Sequence, residues 1–408
     1  MKKGNYPPPS LSSKCLPSPR IASTASFFSL FVFALSANAL PAILLRASKD
    51  LSVDFTTLAQ VSALQFTGFL FAAIAGGIIA DHVGKKRVLQ SACGFLLAGA
   101  VAWSVASNFL TACIGGVLMG IGGGVLESMS STVLSDLFPD RRKFYLNLSQ
   151  AFYCLGAILG PAIMSTLLPL GISWRVCFMG VAVAALVLLT LYSKSTLPIP
   201  TSLERIQPAA LKVMVKKSSF TLPCAALFCY VLTESSIVIY ANTYLQTVHN
   251  APEHWAIASL SLFWFTMMLG RWACTKIPEQ ASYGTSTAAL LIAAASMLIL
   301  QQWAESWQVS LMLFSLTGLT FSGVWPLIIG MSATRNPLYS GTVLGSTIAV
   351  GSLGCIMAPS LVTVLLGIVA EKNVFPLMAT PLLVAAFIII QITHRINKGN
   401  SPSPVSQL

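Results

Sequence analysis

Apolar stretches of eighteen or more residues recur along this chain, separated by short polar or Pro/Gly breaks. Each is long enough to cross a hydrocarbon core of about 30 Å as a helix. Lipid offers a backbone no hydrogen-bond partners, so a span of this kind must close its own bonds. Reading between the breaks gives twelve candidates, at 22–45, 55–80, 88–107, 109–135, 146–168, 174–193, 219–245, 254–274, 284–302, 308–331, 342–366 and 374–394. Only 9% of the residues are charged, against about 25% in a soluble domain. The expected fold class is an all-α membrane protein with twelve transmembrane helices.

The net charge of +12 would suggest a nucleic-acid partner in a soluble protein. Its distribution argues otherwise. With the N-terminus on the cytoplasmic side, 20 of the 24 Lys and Arg residues fall on that side, leaving Arg46, Lys49, Arg175 and Lys372 outside. That asymmetry is the positive-inside rule. It predicts a multi-pass protein with both termini cytoplasmic, of the bacterial inner-membrane type, whose partner is the bilayer. The run from Ile21 to Leu45 is too long for a cleaved signal segment and is expected to be the first span. The nine cysteines stand singly and the four histidines show no ligand spacing, so no metal and no cofactor are expected.

Between the second and third spans the chain reads Gly77-Ile-Ile-Ala-Asp81-His-Val-Gly84-Lys85-Lys86-Arg87. A turn this short needs glycine where backbones approach closely. The eleven residues resemble the signature loop of the major facilitator superfamily of secondary transporters. The resemblance implies a cytoplasmic latch, in which Asp81 meets a helix N-terminus of the other half and favours the outward-facing state. A helix N-terminus carries partial positive charge and so attracts an anion.

An offset of 198 residues aligns the chain with itself. Leu155-Gly156-Ala-Ile158-Leu-Gly160-Pro161 falls on Leu353-Gly354-Cys-Ile356-Met-Ala358-Pro359, Gly120 on Gly318, and Asp81 on Glu279. Two six-helix halves follow. Parallel repeats about an axis along the membrane normal, with substrate near the midplane, are the arrangement of this superfamily. The expected domains are a disordered N-terminal tail over 1–20, halves at 21–193 and 219–394, a cytoplasmic linker over 194–218, and a C-terminal tail over 395–408.

Glu127 and Glu234 are the acids lying well inside predicted spans. A charge at such depth costs about 2.5–3.5 kcal/mol on insertion scales and normally faces a cavity or a partner. Glu127 follows the ridge Gly116-x-x-x-Gly120-x-x-x-Gly124, which admits close helix packing. Low dielectric disfavours a carboxylate, and a carboxyl that loads and releases a proton is what proton coupling requires. Gly156, Gly160, Pro161 and Pro359 are expected to pack or kink their helices. Trp264 and Trp325 could stack on a sugar ring. Arg271, near the cytoplasmic end of the eighth span, is expected to snorkel to the interface.

Gly120-Ile-Gly122-Gly-Gly124-Val-Leu126-Glu127 followed by Asn147-Leu148-Ser-Gln150-Ala-Phe152-Tyr153 is similar to the fucose/glucose/galactose–proton symporter group. The resemblance implies that Glu127 and Gln150 line the solute cavity. Tyr153 stands where the group has Asn, and Asn38-Ala39 stands where it has a membrane-embedded Asp in the first span. The function expected is transport of a small polar organic solute such as a sugar, in symport with protons, by a monomer. The alternatives are proton-driven efflux of amphipathic compounds and a non-transporting sensor. No catalytic constellation suggesting an enzyme is present.

Overall fold

The computed structural model describes residues 19–197, 217–274, 283–335 and 340–399. Residues 1–18 of the expected tail, residues 198–216 of the linker, Glu279 and residues 400–408 lie outside them. Thirteen α-helices are described: α1 Pro19–Asp50, α2 Phe55–Val83, α3 Lys85–Ser104, α4 Phe109–Leu137, α5 Arg142–Leu167, α6 Arg175–Lys194, α7 Ser218–Thr247, α8 Glu253–Cys274, α9 Tyr283–Leu300, α10 Trp307–Phe321, α11 Val324–Arg335, α12 Ser340–Ile368 and α13 Val374–Gly399. They make twelve spans, because α10 and α11 share one. Eleven spans are long and apolar enough to cross a membrane by length and composition. The other, α3, opens on Lys85, Lys86 and Arg87; its 20 residues rise about 30 Å. Helix α1 starts at Pro19, so its first two residues fall within the expected tail.

The tenth span breaks at Ser322 and Gly323. Pro326 explains the break. It has no N–H for the Ser322 carbonyl one turn back, and its ring crowds that carbonyl.

Helix pairing repeats between the halves. In the first, α2 packs on α4, α1 on α5 and α3 on α6; in the second, α8 packs on α10, α7 on α12 and α9 on α13. The two halves meet along α5 with α8 and along α2 with α12. Those two seams exchange with each other when the halves are interchanged.

The repeat extends to single contacts. A side chain at Gly120 would run into the Gln65 carbonyl, and one at Gly318 would run into the Phe263 carbonyl. Both members of the pair are displaced by 198 positions. At Gly156 the obstruction is the Phe31 carbonyl and the Leu35 amide; at Gly354 it is the Phe228 carbonyl and the Leu232 amide. Here the glycines differ by 198 and their partners by 197, so the first and seventh spans are offset by one residue less. Small residues at these points let two backbones approach without a side chain between them.

The signature turn is tighter than expected. Asp81 belongs to the last turn of α2, and Gly84 alone links α2 to α3. Its φ of +91° is open to glycine and strained for other residues. Gly77 was expected to serve a close backbone approach, but a Cβ there would meet nothing within 4 Å. The Asp81 side chain lies outside what is described.

Candidate functional site

Along α4 a glycine ridge faces α2, with Gly116, Gly120 and Gly124 set against Val61, Gln65 and Phe69. Gly123, one turn before Glu127, is set against the Phe33 ring of α1. Glu127 therefore emerges between α1 and α2 on the inner side of the first half. It is half-buried. Ser130, one turn further on, bonds to the Tyr192 hydroxyl at 3.0 Å, and Tyr192 bonds Ser29 at 2.8 Å. That buried triad ties α4, α6 and α1 together behind the carboxyl.

Glu234 on α7 is half-buried and accepts a hydrogen bond from the Tyr230 hydroxyl at 2.7 Å. The two lie four residues apart, one helical turn. Beside them Ser235 donates to the Cys355 sulfur of α12 at 3.2 Å.

The two carboxyls belong to one region. Tyr153 of α5 lies within Coulombic reach of both Glu127 and Glu234. An aromatic chain runs through the same region. Phe33 stands 6.3 Å from Tyr153, Tyr153 stands 6.3 Å from Trp264 at 70°, and Trp264 stands 5.7 Å from its neighbour Phe263. Phe263 meets Phe321 at 6.1 Å, and Phe321 meets Tyr230 at 5.0 Å. Rings from α1, α5, α8, α10 and α7 thus connect the surroundings of one acid to the other, crossing between the halves. Edge-on pairs at such distances are favourable beyond the area they bury.

Arg271 departs from expectation. It does not snorkel to a surface; its guanidinium turns inward. Nη1 lies 3.3 Å from the Cys154 sulfur across the seam, and Nη2 lies 3.6 Å from the Met267 sulfur on its own helix. Its charge is within reach of Glu234, Tyr230 and Tyr153. An arginine side chain on a helix leans toward that helix's N-terminus, which here leads it into the bundle. The spacing of Trp264, Met267 and Arg271 puts all three on one face of α8, and that spacing is the signal by which the sequence could have shown it.

Other predicted positions sit elsewhere. Asn38 is buried and donates to Ala34 of its own helix at 2.9 Å. Gln150 is exposed. Trp325 is half-buried beside Gly351; it occupies the place in the second half that Glu127 holds in the first. Pro161 and Pro359 lie inside α5 and α12. Gly160 is set against the Leu35 carbonyl of α1.

The basic end of the turn is engaged within its own half. Lys85 pairs with Asp136 at the end of α4, both largely buried. Lys86 donates to the carbonyls of Ser193 and Ser195 at the C-terminal end of α6 at 2.6 and 3.0 Å. Arg87 is exposed. Asp136 as the partner of Lys85 is not legible from the turn itself.

Apart from Arg271 with Cys154, the described polar contacts between the halves gather at the opposite end of the bundle. Asn242 of α7 donates to the Ala42 carbonyl of α1 at 2.8 Å, and Ser261 of α8 to the Ile158 carbonyl of α5 at 2.8 Å. Gln60 of α2 reaches Thr363 of α12 at 3.3 Å, and Arg46 lies 3.8 Å from Glu253.

The polar and aromatic seam lies between two six-helix halves whose spans are long and apolar enough to cross a membrane. The Major Facilitator Superfamily profile matches residues 23–359, and the chain belongs to that superfamily. The plastidic glucose transporter 4 of Arabidopsis thaliana is 32% identical over 151 residues, 35% of this chain and 27% of the relative. The chain spans about a quarter of the length of the curated relatives it matches. Its fold resembles a bacterial homolog of the human lysosomal transporter Spinster in an inward-facing and occupied conformation, with a TM-score of 0.77 at 12% identity, covering 96% of this chain and 100% of the other. It also resembles the fucose:proton symporter FucP of E. coli, with a TM-score of 0.64 at 20% identity, covering 92% and 99%.

Proposed function

We propose that this protein is a proton-coupled symporter of a small polar organic solute such as a sugar, acting as a monomer by alternating access. The observation that carries the proposal is the ring chain from Phe33 through Tyr153, Trp264, Phe263 and Phe321 to Tyr230, which crosses the seam from the side of Glu127 to the tyrosine that donates to Glu234. A carboxyl in low dielectric is readily held neutral, and an opening cavity changes that balance. Rocking the halves about this seam would let the pair load a proton on one side and release it on the other. The aromatic faces of Tyr153 and Trp264 suit the apolar face of a sugar ring. Names among the similar proteins, a glucose transporter and a fucose:proton symporter, agree with that class of solute.

The positive-inside distribution supports a topology with both termini on the cytoplasmic side of a bacterial inner membrane. The Arg46–Glu253 end is then external and closed, and the molecule faces inward. In the outward-facing state the Asp81–Arg87 turn would latch the cytoplasmic end against the second half.

Purified protein in liposomes with an imposed pH gradient provides the test. Gradient-driven accumulation of solute is expected, abolished in Glu127→Gln. Accumulation that ignores the gradient, or that survives this substitution unchanged, would defeat the coupling assignment.

A further inference from the structure

A guanidinium offers five N–H donors in a planar fork that matches a carboxylate. At Arg271 the fork meets two sulfur atoms, those of Cys154 and Met267, and thiol and thioether sulfurs are weak acceptors. Its Nε is shielded from solvent and, among the described residues, has no hydrogen-bond partner. Glu234 is within Coulombic reach, yet among the described residues no carboxylate stands within 4.0 Å of Arg271. The Glu234 carboxyl accepts from Tyr230 instead.

One more donor shares this face of α8. The indole Nε1 of Trp264, two turns before Arg271, is also buried and without a partner among the described residues. Leaving a buried donor unsatisfied is unfavourable, and more so for a charged one. Two such donors on one helix face, at a seam between moving halves, describe a receptor for something the bundle itself does not supply.

We propose that Arg271 binds a carboxylate of the transported solute. The substrate class is then a small organic acid carrying hydroxyls, such as a sugar acid or a hydroxy acid, and not the matching neutral sugar. This rests on the transport reading above. The planar pairing of guanidinium with carboxylate supplies strength and orientation together. The Trp264 N–H gives a further donor to the same anion or to a neighbouring oxygen. Glu234 and Glu127, as acceptors, are suited to the solute's hydroxyls. The charge of Arg271 so becomes the selectivity element, and the two carboxyls keep the proton.

The test uses the full chain in proteoliposomes with matched probes, glucuronate against glucose and galacturonate against galactose. The acid of each pair is expected to be taken up with an apparent affinity about ten- to a hundredfold better than its neutral partner. Arg271→Gln should remove that preference, Arg271→Lys should restore part of it, and Trp264→Phe, which keeps the ring and deletes the N–H, should weaken it less. Neutral sugars carried as well as their acids would overturn the inference. So would an Arg271→Gln loss that is equal for both probes, or one repaired by Glu234→Gln, since Arg271 would then be only an internal counter-charge. Thermal stabilisation separates the two readings. Stabilisation of wild type by the acids, lost in Arg271→Gln, without any uptake would uphold the anion site and defeat transport. Uptake of neutral sugars without stabilisation by the acids would uphold transport and defeat the anion site. If no acid either stabilises the protein or is taken up, the inference is overturned.

Discussion

Asn242 donates to the backbone carbonyl of Ala42 at 2.8 Å, joining the seventh span to the first across the two halves. Both residues are buried, so water offers no substitute for this bond. Asn242→Ala should lower stability by about 0.5–1.5 kcal/mol. It should also loosen the closed end. The check is the melting temperature in detergent, together with the alkylation rate of a cysteine introduced at Gln246. The exposed Arg46–Glu253 pair at the same end is worth about 0–1 kcal/mol, so Arg46→Ala should have the smaller effect of the two.

Lys85 and Asp136 form a largely buried ion pair between the start of α3 and the end of α4. Removing one partner leaves the other charge stranded, at a cost of about 3–5 kcal/mol. Lys85→Ala should therefore impair folding or expression severely. The double substitution Lys85→Met with Asp136→Leu should recover much of the loss, since an apolar pair of similar volume often replaces a buried ion pair without penalty. Fluorescence-detected gel filtration of the three variants decides this. A double variant as poor as the single one would mean that the pair is needed for more than its charge balance.

The two glycines of the signature turn should respond differently. Gly84 has φ +91°, and an alanine there incurs backbone strain of about 1–3 kcal/mol. Gly77 has space for a Cβ and sits inside a helix, where alanine is favoured over glycine by about 1 kcal/mol. Melting temperatures should fall for Gly84→Ala and hold or rise for Gly77→Ala. A rise in transport activity is not implied by either.

His249 lies in the loop after α7, its Nε2 buried without a partner among the described residues and its ring 5.3 Å from Tyr244. Burial lowers its pKa below the ordinary histidine range. The unfolded chain therefore takes up a proton first as pH falls. The neutral imidazole's share of stability is complete above the unfolded value of about 6.5 and declines as pH drops below it toward the folded value. Melting temperature should fall between pH 7.5 and pH 5.5, and His249→Gln should flatten that slope. An unchanged slope in the variant would place the pH response elsewhere.

Much of the architecture is readable along the chain because a membrane permits so few solutions. The twelve spans, the 198-residue repeat and the depth of Glu127 and Glu234 follow from hydropathy, spacing and one offset. The repeat reaches individual contacts, as Gly120 on Gln65 and Gly318 on Phe263 show. Its one-residue slip at the first and seventh spans rests on two isolated identities at an offset of 197, Phe31 with Phe228 and Leu35 with Leu232, which common apolar residues do not make stand out.

What the chain alone determines here is how many helices cross, how they pair between halves, and which face of each is polar. What only the tertiary structure decides is which faces meet. Arg271 reads as an interface anchor in sequence, since a cation near a helix end can reach either water or the interior. Its direction is settled by the seam of α5 against α8, which sets Cys154 beside its guanidinium. Lys85 likewise reads as part of a latch, and packing gives it Asp136, 51 residues away. Helical periodicity fixes the angle of a side chain about its own axis. The rotation of that axis against its neighbours is set by the packing of all the helices together, and no single stretch of sequence contains it.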